Sequence, residues 1–183
     1  MVHKRNLDLD KIIQEATKLI CEQGLTKTTL PNLAKALGVR SQSLYHYVSG
    51  RKQLLSLVGA SRIKLLHREL VDQLIGFAGS NALLKFADVV RSFILHDPAL
   101  FSILYHLNEY SGEDAITLEI INIIALAEKL NLKNTSMVSL HALLGSVLGY
   151  VFLDKATFFK DEDDEKDNRN YHEMILRLVQ PAA

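Results

Sequence analysis

The chain has 183 residues, 48% of them hydrophobic, enough to bury a sizeable core and too apolar for wholesale disorder. Nine glycines and three prolines, against abundant Leu, Ile, Ala and Lys, favour helix over the many-turned all-β classes. The charges cancel only in sum: residues 1–52 hold nine Lys/Arg and four Asp/Glu, a balance of +5, and residues 53–183 hold twelve and seventeen, a balance of −5. A basic head on an acidic body predicts that the head meets a polyanion and the body does not.

The N-terminal stretch MVHKRNLDLDKII has no long apolar segment and does not read as a signal peptide. No stretch reaches the ~18 uncharged apolar residues of a membrane span. The single cysteine, Cys21, has no partner within the chain, which suits a reducing interior, and it is expected as a small buried hydrophobe. A soluble, cytoplasmic protein without a membrane partner is the expectation.

Leu9, Ile12, Ile13, Ala16, Leu19 and Ile20 recur at three- and four-residue spacing and predict an amphipathic helix over 8–23, stopped by Gly24. A second helix is expected from Thr28–Thr29, with Pro31 in its first turn, to Leu37, ending at Gly38. Ser41 then caps a third, short helix through about Val48. Two short helices joined by Gly38-Val39-Arg40, behind a longer first helix, form a helix-turn-helix unit. A fourth helix runs from Arg51 to about Leu74, with too many leucines for one narrow stripe. Helices at 82–95, 99–109, 113–131, 135–158 and 170–179 follow, with KDEDDEKDN (160–168) as a charged, solvated loop. The fold class is all-α, with about nine helices.

On the third helix Val39, Leu44 and Val48 supply apolar contacts, leaving Ser41, Gln42, Ser43, Tyr45, His46 and Tyr47 on outward faces. A major groove admits one α-helix whose N-terminal residues meet base edges. Arg40 suits guanine and Gln42 suits adenine, while Ser41 and Ser43 are short, permissive donors. Tyr45 and Tyr47 reach towards phosphate oxygens. Arg51 and Lys52 open the fourth helix, where positive charge opposes the macrodipole, a placement that a nearby phosphate would justify.

Residues 8–58, and above all TTLPNLAKALGVRSQSLYHYVSGRKQLL, resemble the DNA-binding domain of the TetR family of transcriptional regulators. The threonine pair, the Gly-Val turn, the Leu-Tyr-His-Tyr core and the basic residue before QLL carry the resemblance. Val48 and Arg51 stand where many members have Phe and Lys. The resemblance implies that Thr28 or Thr29, Arg40, Ser41, Gln42, Ser43, Tyr45, His46, Tyr47 and Arg51 touch a DNA operator. It also implies a DNA-binding domain at 1–52 and a helical effector and dimerisation domain at 53–183.

In the body, Gly145-x-x-x-Gly149 lies in SLHALLGSVLGYVFLDKATFF (139–159), and the last helix offers a stripe of Tyr171, Met174, Ile175 and Leu178. By the resemblance, these two helices pair with their copies in a homodimer, with Phe152 beside the glycines; packing within the chain is the other reading. Phe86, Phe101, Tyr105, Asn108 and His141 are candidates to line a cavity for a small, largely apolar effector. No metal-ligand spacing, P-loop, GxSxG or HExxH occurs, so neither an enzyme nor a metal or cofactor is expected. The expected function is sequence-specific repression at a palindromic operator. The alternative is an architectural or protein-interaction member without an effector.

Overall fold

The computed structural model describes residues 7–129, 138–157 and 163–179. Among the described residues the chain forms nine α-helices and no strand: α1 (Leu9–Gln23), α2 (Leu30–Leu37), α3 (Ser41–Leu44), α4 (Arg51–Gln73), α5 (Gly79–His96), α6 (Pro98–Leu104), α7 (Ala115–Lys129), α8 (Leu140–Lys155) and α9 (Asp164–Val179). Short 3-10 turns at Leu25–Lys27 and Leu107–Glu109 complete the set. The all-α expectation holds. The expected helix ends at 131, 135 and 158, and residues 160–162 of the charged loop, lie outside the described residues.

Local chemistry accounts for the first elements. Asp8 caps α1 by accepting from the Lys11 amide at 2.8 Å, and its carboxyl is held below the usual range chiefly by that bond. Ile12, Ala16, Leu19 and Ile20 form the buried face of α1. Cys21 departs from expectation and is exposed. At about 100° per residue it lies half a turn around the helix from Ile12, so the apolar stripe passes it by. Thr29 caps α2, and Gly38 ends it in the left-handed conformation at φ +68°.

Two compact units divide the chain: Met1–Lys64 with Pro98–Ile120, and Leu65–Asp97 with Ile121–Ala183. The boundary on α4 falls after Lys64, so the unit holding the helix-turn-helix also takes in α6 and the start of α7. In this first unit α1 packs on α2 and α6, and α2 packs on α3. Its core includes Ile12, Leu33, Leu44, Leu54, Val58, Leu100 and Ile103.

In the second unit α5 packs on α8 and α9. Phe86, Ala87, Val90 and Ile94 of α5 face Leu143, Val147 and Val151 of α8 and Tyr171, Ile175 and Val179 of α9 in one apolar core. The stretch expected as a charged loop is helical from Asp164. Asp163 caps α9 by accepting from the Lys166 amide at 2.7 Å, and acidic side chains suit a helix N-terminus. Asp167, one turn in, pairs with the guanidinium of Arg91 and accepts from the Tyr150 hydroxyl at 2.6 Å. Arg91 also reaches Asn168 at 2.6 Å and lies 4.4 Å from the ring centre of Tyr171.

Two residues of the expected dimer stripe are therefore reassigned. Tyr171 and Ile175 are fully buried within their own chain, and the Tyr171 hydroxyl donates to the Ala87 carbonyl at 2.8 Å. Burial raises the Tyr171 pKa well above the usual phenol range. Met174 and Leu178 are half-buried, on the flank of that face. Tyr171→Ala should then cost about 3–5 kcal/mol of stability whatever the oligomeric state, and Tyr171→Phe only about 1 kcal/mol. Urea unfolding of the two variants checks this; equal midpoints for both would contradict it.

Candidate nucleic-acid interface

The second helix of the helix-turn-helix is very short. α3 closes a single turn, and Tyr45 to Tyr47 continue as a turn in which the amides of Tyr47 and Val48 both donate to the Leu44 carbonyl, at 2.9 and 3.0 Å. Leu44 and Val48 are buried and hold this segment down. Arg40, Gln42, Tyr45 and His46 are exposed, Tyr45 with 58% of its surface free, and Ser41 and Ser43 are half-buried between them. The structure thus leaves a guanidinium, an amide, a phenol and an imidazole exposed within one short stretch, residues 40–46. Ser41 is the first helical residue rather than the cap; Arg40 holds the cap position without a side-chain bond.

Other expected contacts are placed differently. Thr28 is buried and its hydroxyl donates to the Gly24 carbonyl at 3.1 Å, so it leaves the set of outward-facing side chains. Thr29, half-buried, accepts from the Asn32 amide at 3.3 Å. Tyr47 is 37% exposed, and its hydroxyl donates to the Leu7 carbonyl at 2.6 Å, tying the entry of α1 to the turn that follows α3.

Arg51 has a framework task. Its Nε donates to the Thr28 carbonyl at 2.9 Å and its Nη2 to the Leu25 carbonyl at 2.7 Å. A cation placed against the macrodipole is satisfied here by carbonyls of the preceding turn. Lys52 forms an ion pair with Asp114 at 3.2 Å.

Residues 12–58 match the family model described as bacterial regulatory proteins, tetR family. The helix-turn-helix segment is of the TetR type. The chain is a DNA-binding transcriptional regulator, and the matched family is one of regulators rather than enzymes. It is similar to the uncharacterized HTH-type transcriptional regulator YobS of Bacillus subtilis (strain 168), 24% identical over 159 residues that span 83% of this chain and 82% of the relative. The fold is shared with a TetR point variant from Acinetobacter baumannii AYE, solved with minocycline: TM-score 0.67, 18% identity, covering 94% of each chain. It is shared too with AibR, solved with isovaleryl coenzyme A and operator DNA: TM-score 0.62, 17% identity, covering 95% of this chain and 99% of that one.

The residues expected around an effector fall in both compact units. Phe101, Tyr105 and Asn108 belong to the first compact unit, Phe86 and His141 to the second. Phe86 is fully buried and Phe101 half-buried, whereas Tyr105, Asn108 and His141 are exposed. A cleft of about 320 Å³ does open in the first unit, lined by Leu7, Lys11, Gln14, Glu15, Ala36, Leu37 and Val39, none of them in the expected set.

Sequence reasoning missed the acceptors of Arg51 because backbone carbonyls carry no sequence signal. Removing the guanidinium takes the donor from the Thr28 carbonyl and one of two donors from the Leu25 carbonyl, which keeps the Thr28 amide at 3.1 Å. Hydrogen bonds to a charged group contribute about 1.5–3 kcal/mol. Arg51→Ala should lower the unfolding free energy by about that amount, and Arg51→Lys by less, since one ammonium replaces the fork only in part. Chemical denaturation without DNA checks it; a wild-type midpoint for Arg51→Ala would contradict it.

Proposed function

We propose that the chain acts as a homodimeric, cytoplasmic repressor that occupies a palindromic operator and leaves it when a small, largely apolar effector binds. The outward set of Arg40, Gln42, Tyr45 and His46 on a clamped reading segment carries this reading. Arg40 and Gln42 have the fork and amide that bond guanine and adenine edges, and Tyr45 the reach for a phosphate. Ser41, Ser43 and Thr29 stand alongside as short donors.

A single reading segment contacts too few base pairs for a unique site, and a two-fold dimer doubles it. α8 supports such a dimer. Leu143, Val147 and Val151 fill the core side, and Ala142, Gly145, Gly149 and Leu153 occupy the opposite side. Leu153 is 46% exposed, and a methyl group added at either glycine would have nothing within 4 Å. A helix apolar on both sides calls for a second apolar surface, and the glycines leave room for a helix to approach. Phe152, Met174 and Leu178 extend the same proposed contact.

The effector reading draws on the two complexes of this fold, one with isovaleryl coenzyme A and one with minocycline. In this chain Phe86 lies in the apolar interior of the second unit, and Arg91 is already engaged by Asp167 and Asn168. That supports a largely apolar, uncharged or weakly anionic compound, unlike the phosphate-bearing coenzyme A thioester in the AibR complex.

Duplexes that the wild-type protein retains from a random pool give the operator, and two sets of variants then test the reading. Arg40→Ala and Gln42→Ala should each reduce discrimination against single-base changes by about 1–3 kcal/mol in competition anisotropy. Gly149→Leu should convert a sedimenting dimer to a helical, folded monomer with weak operator binding. Unchanged discrimination would overturn the base-reading assignment, and a wild-type monomer at micromolar concentration would overturn the dimer.

A further inference from the structure

The first turn of α7 sits on α4, inside the compact unit that holds the helix-turn-helix. Ile116 is the second residue of α7, and its amide is one of those that a helix N-terminus leaves without an acceptor in the helix. The Ser56 hydroxyl of α4 supplies that acceptor at 3.1 Å, in a buried bond that spans 60 residues of sequence. Asp114, at the cap position, turns its carboxylate elsewhere, accepting from the Ser111 amide at 2.7 Å and pairing with Lys52 at 3.2 Å. These bonds, that from the Ser111 amide first, hold the Asp114 carboxyl below its usual range.

The packing between these contacts is close. A Cβ on Gly59 would stand 2.5 Å from Cδ1 of Ile116 and 3.1 Å from both Cγ1 of Ile116 and Cγ2 of Ile103, so a larger residue there makes the Ile116 side chain turn away or α7 move outward. Lys64, further along α4, pairs with Glu119 at 3.5 Å. Lys52, Ser56 and Gly59 follow four- and three-residue spacing, so the start of α7 is held along one side of α4 for about two turns of α4.

The upper end of this contact reaches the clamp of the reading segment. Lys52 follows Arg51, whose fork holds the Leu25 and Thr28 carbonyls in front of α2. Tyr110 lies within the field of the same guanidinium. Burial first, then Glu109, pushes its hydroxyl up to about 12, with Arg51 pulling the other way. Neither the dimer surface nor the base-facing set includes any of Ser56, Gly59, Asp114 and Ile116.

We infer that Ser56, Gly59 and Asp114 are positioning residues for DNA reading: they dock the first turn of α7 on α4, and that docking holds the Arg51 clamp in its DNA-competent place. A displacement of α7 from α4 therefore weakens operator binding without touching a DNA-facing residue. The inference rests on the assignment of the α3 surface to DNA.

The test uses the full-length chain, a duplex selected by the wild-type protein, and three variants. Gly59→Ala is expected to lose operator affinity at least tenfold while keeping wild-type helicity and molecular mass. Adding Ile116→Val deletes the carbon that the new methyl meets, and is expected to restore affinity to within about threefold of wild type, a rescue that general destabilisation does not give. Ser56→Ala removes one oxygen and strands the Ile116 amide; it is expected to lose affinity severalfold, and it serves where Gly59→Ala fails to fold. Wild-type affinity in folded Gly59→Ala, absence of rescue by Ile116→Val, or wild-type affinity in Ser56→Ala would each overturn the inference alone. A wild-type chain that retains no duplex would overturn the DNA-reading assignment and this inference with it.

Discussion

A helix of one turn has no stability of its own, because nucleation fixes several dihedral angles for a single hydrogen bond. α3 is such a helix, and everything around it in the first unit works to hold it. Leu44 and Val48 anchor it from below, the Tyr47 hydroxyl holds Leu7 at its far end, and the Ser49 amide donates to the Gln53 side chain at the start of α4. Arg51 then joins α4 to the turn ahead of α2. The exposed surface of α3 can be short and polar because its framework lies elsewhere.

This arrangement separates two tasks within one stretch of sequence. Arg40, Gln42, Tyr45 and His46 are free of core duties and face outward. Thr28, Tyr47, Arg51 and Lys52 have comparable chemistry, yet their polar atoms are engaged within the chain. Sequence-specific recognition benefits from this division, since a rigid support loses less entropy when the outward side chains meet their partner. The second unit repeats the pattern with different means: an Arg91, Tyr150 and Asp167 network joins α5, α8 and α9 around an apolar core.

Much of the first unit was legible because its signals are local. The three- and four-residue spacing in α1, the Thr29 cap, the left-handed Gly38 and the apolar anchors Leu44 and Val48 all lie within a few residues of what they control. The departures share a different cause. Arg51 finds its carbonyl 26 residues away, Arg91 its carboxylate 76 away, and Tyr171 its acceptor 84 away. Periodicity shows that Tyr171 and Ile175 form an apolar stripe but not whether their own chain or a second one covers it. The charged run at 163–168 was read by its solubility, whereas Asp163 as a cap and Asp167 as an Arg91 partner make it the start of a helix. Cys21 was a misjudged helical angle.

The central claim is that the exposed surface from Arg40 to His46, held by the clamp around Arg51, is what meets the duplex. Hydrogen exchange of the full-length protein, with and without its selected duplex, tests this most directly, because amides at a docked surface exchange more slowly. The account predicts strong slowing across residues 39–48 in the complex and none across residues 164–179. Slowing confined to α9, or an unchanged profile at 39–48 with the duplex fully bound, would contradict it.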